Sequence, residues 1–246
     1  MNGSSGNTPR TLHDPLYRLN PRVFVGYDQN EALAFSVFSH SIQRLSSLPI
    51  LISPVMRSQL AGIYSRELGP KESTDFAITR FLVPAICAYE GWAIFADGDM
   101  LCRGDILDLW KMRDERYAVQ VVKHNHEPRE SNKFLGHLQL AYPKKNWSSV
   151  MLMNCAKCKS LTPAYVNEAH GLALHQFEWL DGHEIGEIPK EWNHLVGYDP
   201  PNPWAKITHF TLGMPFFYGY NECEYAKEWR EEKNRMMSYN NALMVA

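Results

Sequence analysis

A chain of 246 residues with 45% hydrophobic and 12% aromatic content is long enough to build one domain around a substantial core. Its formal net charge of −2 excludes the basic footprint expected of a protein that binds duplex DNA or an anionic membrane face. Five cysteines, Cys87, Cys102, Cys155, Cys158 and Cys223, are odd in number and thinly spread, which excludes a disulfide framework and points to a reducing, cytoplasmic setting.

The opening "MNGSSGNTPRTLHDPLYRLNP" has no basic stretch leading into an apolar one, and no window of the chain reaches the apolar length of a bilayer span. No transmembrane segment is expected; residues 1–20 read as a flexible N-terminus and 21–246 as a single domain. At "RVFVGYD" a β-favouring run stops at Gly-Tyr-Asp, and "NEALAFSVFSHSIQRL" follows with helical apolar spacing: a strand, a short loop and a helix. "LPILISPV" reads as a second buried strand. "ESTDFAITRFLVPAICAYEG" reads as one helix with Ser73 and Thr74 as cap candidates, a kink at Pro84 and an end at Gly91. "WAIFADGD" is a third strand, apolar on both faces. "RYAVQVVKH" and "SSVMLMN" supply further strands, "EWREEKNRMMSYNNAL" a charged terminal helix, and Asn125 to Trp147 a long excursion of the kind that often carries function. Strands apolar on both faces that alternate with helices predict an α/β fold, a mainly parallel sheet flanked by helices.

Ligands of open α/β sheets bind beyond the carboxyl ends of the strands, and "FADGDML" puts Asp97 and Asp99 at such an end. Residues i and i+2 of an extended segment point the same way, so both carboxylates can meet one cation, and Gly98 lets backbone come close. Mn²⁺ or Mg²⁺ would accept these hard oxygens and leave positions for phosphate. The residues alone equally allow an ordinary Asp-Gly turn.

The succession "VFVGYD", "STDFAITRFLVPAI", "GWAIFADGDML", "SSVMLMNC", "EIPKEWN" and "ITHFTLGMPFF" resembles the GT-A fold nucleotide-sugar glycosyltransferases, in particular the glycogenin-like glycosyltransferase family 8, over roughly residues 21 to 220. The resemblance implies a Rossmann-like GT-A fold, a nucleoside-diphosphate sugar as donor, Mn²⁺ or Mg²⁺ as cofactor, an acceptor whose identity is open, and retention of anomeric configuration. It implies that Val25, Gly26, Tyr27 and Asp28 hold the donor nucleoside, with Gly98 close by. Read from the residues alone, Asp28 or Asn30 would be a helix cap. The resemblance places Arg80 at the donor phosphates; the alternative is a surface pair with Asp75 or Glu72. It makes His209 the third metal ligand beside Asp97 and Asp99.

The pattern also departs from the family. The family's H-x-G-x-x-K-P-W has Gly213 four residues after His209 here, Met214 where lysine would stand and Phe216 for tryptophan. In F-N-[SA]-G-V-x-L-I-N, Trp147 takes the asparagine position and Ser149 that of the glycine. Gln176 falls at the glutamine of D-Q-D with both aspartates missing, and Asp181, with Glu178 and Glu184 nearby, becomes the candidate acid for donor sugar or acceptor. These departures keep a non-catalytic sugar or nucleotide binder in play. A nucleotidylyltransferase would need a glycine-rich basic loop after the first strand, which "VGYDQNEA" lacks. Cys155 and Cys158 have the spacing of half a zinc site or a redox pair, though ordinary thiols suffice. His124 and His126 share one side of an extended segment, and Trp179, Trp192 and Trp204 suit core, cleft lining or an acceptor platform. Oligomeric state has no signature in the sequence.

Overall fold

The computed structural model describes residues 21–67, 69, 74–125 and 143–238. Its strands are β1 (Arg22–Gly26), β2 (Leu51–Val55), β3 (Trp92–Ala96), β4 (Met100–Cys102), β5 (Val119–Val121), β6 (Val150–Asn154), β7 (Ile185–Glu187), β8 (His194–Leu195) and β9 (Ile207–His209). Six of them form one sheet in the order β2-β1-β3-β6-β5-β7. Only β6 runs against its two neighbours, so the sheet is mainly parallel, as expected.

Successive residues of the central strands supply two different cores. Phe24, Ala93, Phe95, Val119, Met151 and Met153 line one face with Phe81 and Trp179. Val23, Val25, Ile94, Ala96, Val150 and Leu152 line the other with Phe38, Trp110 and Trp192. Each of the larger aliphatic and Phe side chains is worth roughly 1.5–3 kcal/mol on leaving water. That two-sided burial explains why β3 reads as an unbroken apolar run. Helix α1 (Ala32–Leu45) returns the chain from β1 to the parallel β2 and buries Ala34, Val37, Phe38, Ser41 and Ile42 at helical spacing.

Two expectations need correction. β2 is not buried: it is an edge strand with Leu51 58% exposed, and Pro54, which cannot donate to a ladder, is tolerated there. The helix expected over 72–91 is broken into α2 (Phe76–Thr79), a 3-10 turn over Arg80–Leu82 and α3 (Val83–Ile86). Pro84 has no N–H for the carbonyl of Arg80, and its ring crowds that carbonyl; the turn tightens instead, with Val83 N–H donating to Arg80 O. Ser73 lies outside the described residues. The break leaves Arg80 on a tight turn that aims it inward.

After β3 the chain continues through β4 to α4 (Ile106–Lys111). After β6 come α5 (Pro163–Glu168) and α6 (Gly171–His175). The terminal helix α7 (Ala226–Met237) closes a third apolar cluster of Trp229, Phe210, Met214, Val37 and Leu101. It is pinned to α1 by Glu232, whose carboxylate accepts from His40 at 2.7 Å and from Arg44 at 2.7–3.0 Å. A second sheet, β4-β9-β8, starts four residues beyond the carboxyl end of β3. Among the described residues no helix is long and apolar enough to cross a membrane.

Candidate metal centre and adjoining cleft

The site is built where β3 stops. Asp97 still pairs as if in the sheet, its N–H donating to Ser149 O at 2.9 Å. Gly98 then passes so close to β1 that a Cβ would lie 2.4 Å from Gly26 O, which no side chain permits. Gly26 is itself covered by the Phe76 ring, 2.4 Å from where its Cβ would be. The ends of β1 and β3 are thereby held in contact. Asp99 accepts from Phe210 N–H at 2.9 Å, and the antiparallel pairing of β4 with β9 sets Met100 opposite His209. That register carries a histidine remote in sequence to the two acids.

His209 Nε2 stands 3.3 Å from Asp99 Oδ1 and 3.9 Å from Asp97 Oδ2. One ligand atom from each of Asp97, Asp99 and His209 lies within 4.8 Å of the other two. Asp97 and His209 are buried and Asp99 is partly covered. Two hard oxygens and an imidazole nitrogen converging on one point form a donor set that fits Mn²⁺ or Mg²⁺. The other face of the histidine ring is also held: Nδ1 meets Asn193 Oδ1 at 3.1 Å.

Arg80 is neither exposed nor paired with Asp75, which corrects the surface alternative; Glu72 lies outside the described residues. Its Nη1 is 2.7 Å from Asp97 Oδ1 and 2.9 Å from Ser148 O. Its Nε donates to Ala77 O at 3.0 Å, and the rings of Phe76 and Phe95 flank the guanidinium at 5.4 and 5.2 Å. Arg80 therefore stands behind Asp97 and fixes which oxygen faces outward. Ser148 Oγ in turn meets His175 Nδ1 at 2.8 Å. Burial, with Arg80 and Arg66 nearby, pushes the His175 imidazole from 6.5 down to about 3, so the ring stays neutral. Gln176, partly covered, follows it and accepts from Lys144 Nζ at 2.7 Å through its backbone carbonyl.

Tyr27, immediately after Gly26, borders a cleft of about 570 Å³ lined also by Arg57, Tyr64, Arg66 and Asp75. Val25, fully buried, faces the core, so only its backbone is available to a ligand. Asp28 caps the 3-10 turn by accepting from Asn30 N–H at 2.8 Å, as the helix-cap reading had it, and reaches across to Asp75 N–H at 3.0 Å. Burial and the Asp28 charge raise the Asp75 pKa, against the opposing pull of Arg57.

Other expected site residues are not brought to this cluster. Gly213 lies under the Tyr220 ring, and Met214 is fully buried beside Phe210 in the third core. Asp181 is exposed and leads into β7, which runs parallel to β3; it stands at the amino end of the strands, opposite Asp97. Glu184 uses its carboxylate to accept from Asp181 N–H at 2.9 Å, and Glu178 is exposed. Cys155 and Cys158 are buried among core side chains. Trp179 and Trp192 are core, while Trp204 is 79% exposed. His124 is buried; His126, residues 126–142 of the long excursion and residues 1–20 lie outside the described residues. Sequence reasoning passed over Asn193, Ser148 and His175, although Asn193 closes the "EIPKEWN" segment that carried part of the resemblance.

No protein-family model matches the chain. Among solved structures it is similar to the apo WbbM bifunctional glycosyltransferase (TM-score 0.63, 12% identity, 94% of this chain and 52% of that one). It is similar also to the apo glycosyltransferase GlyE of Streptococcus pneumoniae TIGR4 (0.58, 14%, 92% and 62%). The chain thus spans little more than half of those two proteins. The galactosyltransferase LgtC, solved with donor and acceptor sugar analogs, is matched over 91% of this chain and 99% of its own, with TM-score 0.53 and 10% identity. At these identities the likeness establishes the GT-A fold. A relative in sequence is Protein CDI of Arabidopsis thaliana, 44% identical over 228 residues, which span 89% of this chain and 87% of that protein. With the two aligned over nearly their whole lengths, the chain belongs to the family of Protein CDI.

Proposed function

We propose that this protein is a metal-dependent glycosyltransferase that moves a sugar from a nucleoside-diphosphate donor to an acceptor hydroxyl. The observation that carries the reading is the convergence of Asp97, Asp99 and His209 at the carboxyl end of β3, beside the Tyr27 cleft. It lies on a fold shared with proteins described as glycosyltransferases. Mn²⁺ or Mg²⁺ held by the three side chains would act as a Lewis acid toward the donor diphosphate. The remaining roles belong to the chain. Arg80 holds Asp97 in position from behind and adds a fixed positive charge near the leaving phosphates. Tyr27 offers a ring face to the base, Asp28 an acceptor toward a ribose hydroxyl, and Arg57 and Arg66 give the cleft a cationic wall suited to a nucleotide. Gln176 and Trp147 flank the same end of the sheet through Lys144 and Ser148 and suit contacts to the transferred sugar. Membership of family 8, retention at the anomeric carbon and a cytoplasmic location complete the reading; the free thiols are consistent with the last.

A second reading, a nucleotide or sugar binder without turnover, is favoured by Met214. The position of the family's phosphate-binding lysine is occupied by a core side chain. Calorimetry with UDP-sugars and GDP-sugars, with and without Mn²⁺, followed by product analysis, separates the two. Metal-dependent binding with donor consumption supports the transferase, binding without consumption supports the second reading, and no binding defeats both. Proton NMR of the product reads the anomeric outcome.

A further inference from the structure

Asn193 is completely buried, and three hydrogen bonds meet on its carboxamide. Its orientation is determined by its partners. The carbonyl of Asn146 can only accept, so the end of Asn193 that lies 3.1 Å from it is the NH₂ group, which also reaches Ser149 Oγ at 3.0 Å. The opposite end is then the carbonyl oxygen, 3.1 Å from His209 Nδ1. An amide oxygen cannot donate, so Nδ1 must carry a proton. With that proton fixed, the neutral ring has its lone pair on Nε2, the atom that faces Asp97 and Asp99. The carboxamide is anchored to the segment that also holds the first acid, because Ser149 O accepts the Asp97 N–H.

We infer that Asn193 is a positioning residue that locks His209 in the Nδ1–H tautomer and aims its Nε2 at a divalent cation shared with Asp97 and Asp99. The inference rests on the metal reading above and adds to it the group that makes the histidine a competent ligand. Partners of this kind fix ring orientation and raise ligand basicity, and losing one typically lowers metal affinity about 10- to 100-fold.

The test is Mn²⁺ titration followed by electron paramagnetic resonance, on wild type, Asn193→Leu, Asn193→Asp and His209→Ala, with folding checked by circular dichroism. Wild type should bind Mn²⁺ and show the nitrogen hyperfine coupling of a coordinated imidazole, absent in His209→Ala. Asn193→Leu should bind about 10- to 100-fold more weakly and lose that coupling. Asn193→Asp keeps an acceptor for Nδ1–H while giving up the bond to Asn146, and should retain the coupling even with a lowered melting temperature; it decides the question if the leucine variant does not fold. Unchanged affinity and coupling in Asn193→Leu, or loss of coupling in Asn193→Asp, overturns the inference while leaving the transferase reading intact. A wild type that binds no Mn²⁺ overturns both.

Discussion

Among the described residues, the buried acids around Glu232 and those at the end of β3 are built differently. Around Glu232 both carboxylate oxygens accept from N–H groups of His40 and Arg44, one helical turn apart on α1. Every contact there joins an acceptor to a donor, which makes the cluster a clasp for α7. At the end of β3, Asp97 Oδ2 and Asp99 Oδ1 instead point at a ring nitrogen whose other side is already committed to Asn193. Two carboxylate oxygens and a ring nitrogen that converge in this way form a donor set suited to a cation. Burial and an arginine partner are common to both clusters, since Asp97 Oδ1 accepts from Arg80; what sets the β3 end apart is the convergence of three ligand atoms within 4.8 Å.

The sharpest way to break this contrast is to neutralise Asp99. Asp99→Asn should lower donor turnover by about two decades or more, as expected when charge stabilisation in a transition state is lost. Its melting temperature should hold or rise. Asp97→Asn should lose as much activity and also stability, because Arg80 would keep a buried charge without its counterion. Turnover within about twofold of wild type in Asp99→Asn would remove the metal assignment.

Glu232→Gln tests the other cluster. It should cost about 2 kcal/mol by chemical denaturation, between the values for solvated and buried pairs, since Glu232 is covered while Arg44 and His40 are partly exposed. Turnover should not move. Burial works to raise the Glu232 pKa, but hydrogen bonds from Arg44 and His40 outweigh it and hold the group below 4.5. A carboxylate with a depressed folded pKa contributes stability above its unfolded value that is lost as the pH falls through the folded one. The gap between wild type and Glu232→Gln should therefore close below pH 4.5. A gap independent of pH would show that packing, and not charge, holds α7.

The same contrast explains what could be read without coordinates. β1, β3 and β6 were legible because burial on both faces leaves an unbroken apolar run. β2 is as apolar but sits at an edge, a tertiary fact that only Pro54 betrayed. Over 72–91 the apolar spacing continues through Pro84 and so suggests one helix, while the missing N–H tightens the backbone around Arg80 and breaks it. Asp97 and Asp99 announce themselves by an i, i+2 spacing after a strand. His209 came only through a family resemblance, since what delivers it is the β4–β9 register. Asn193 stands in a segment of the resemblance and Ser148 in another, but their pairings with His209 and His175 are long-range contacts that a linear pattern does not display.

His175 sharpens the contrast from the acid side. Its folded pKa of about 3 lies below the ordinary 6.5, so between those values the unfolded chain takes up a proton that the folded chain refuses. Stability should therefore fall as the pH drops from 6.5 toward 3. The slope is at most about 1.4 kcal/mol per pH unit, and less to the extent that solvent reaches the ring. His175→Gln should flatten denaturation midpoints across that range; an unaltered slope would mean the ring is protonated in place beside Arg80.

The smallest effect is expected at Asp181, an acid outside both clusters. It is exposed, its N–H is served by Glu184, and β7 directs it to the end of the sheet away from Asp97. Its carboxylate accepts from the Glu184 backbone in a reciprocal capping box, a fastening for the turn before β7, and it is not part of the Asp97, Asp99 and His209 group. Asp181→Ala should cost about 0.5–1 kcal/mol of stability, the loss of one exposed cap, and leave donor turnover within about twofold. A loss approaching that of Asp99→Asn would place a reacting group at the amino end of the strands. Convergence of ligand atoms at the β3 end would then no longer suffice to locate the chemistry.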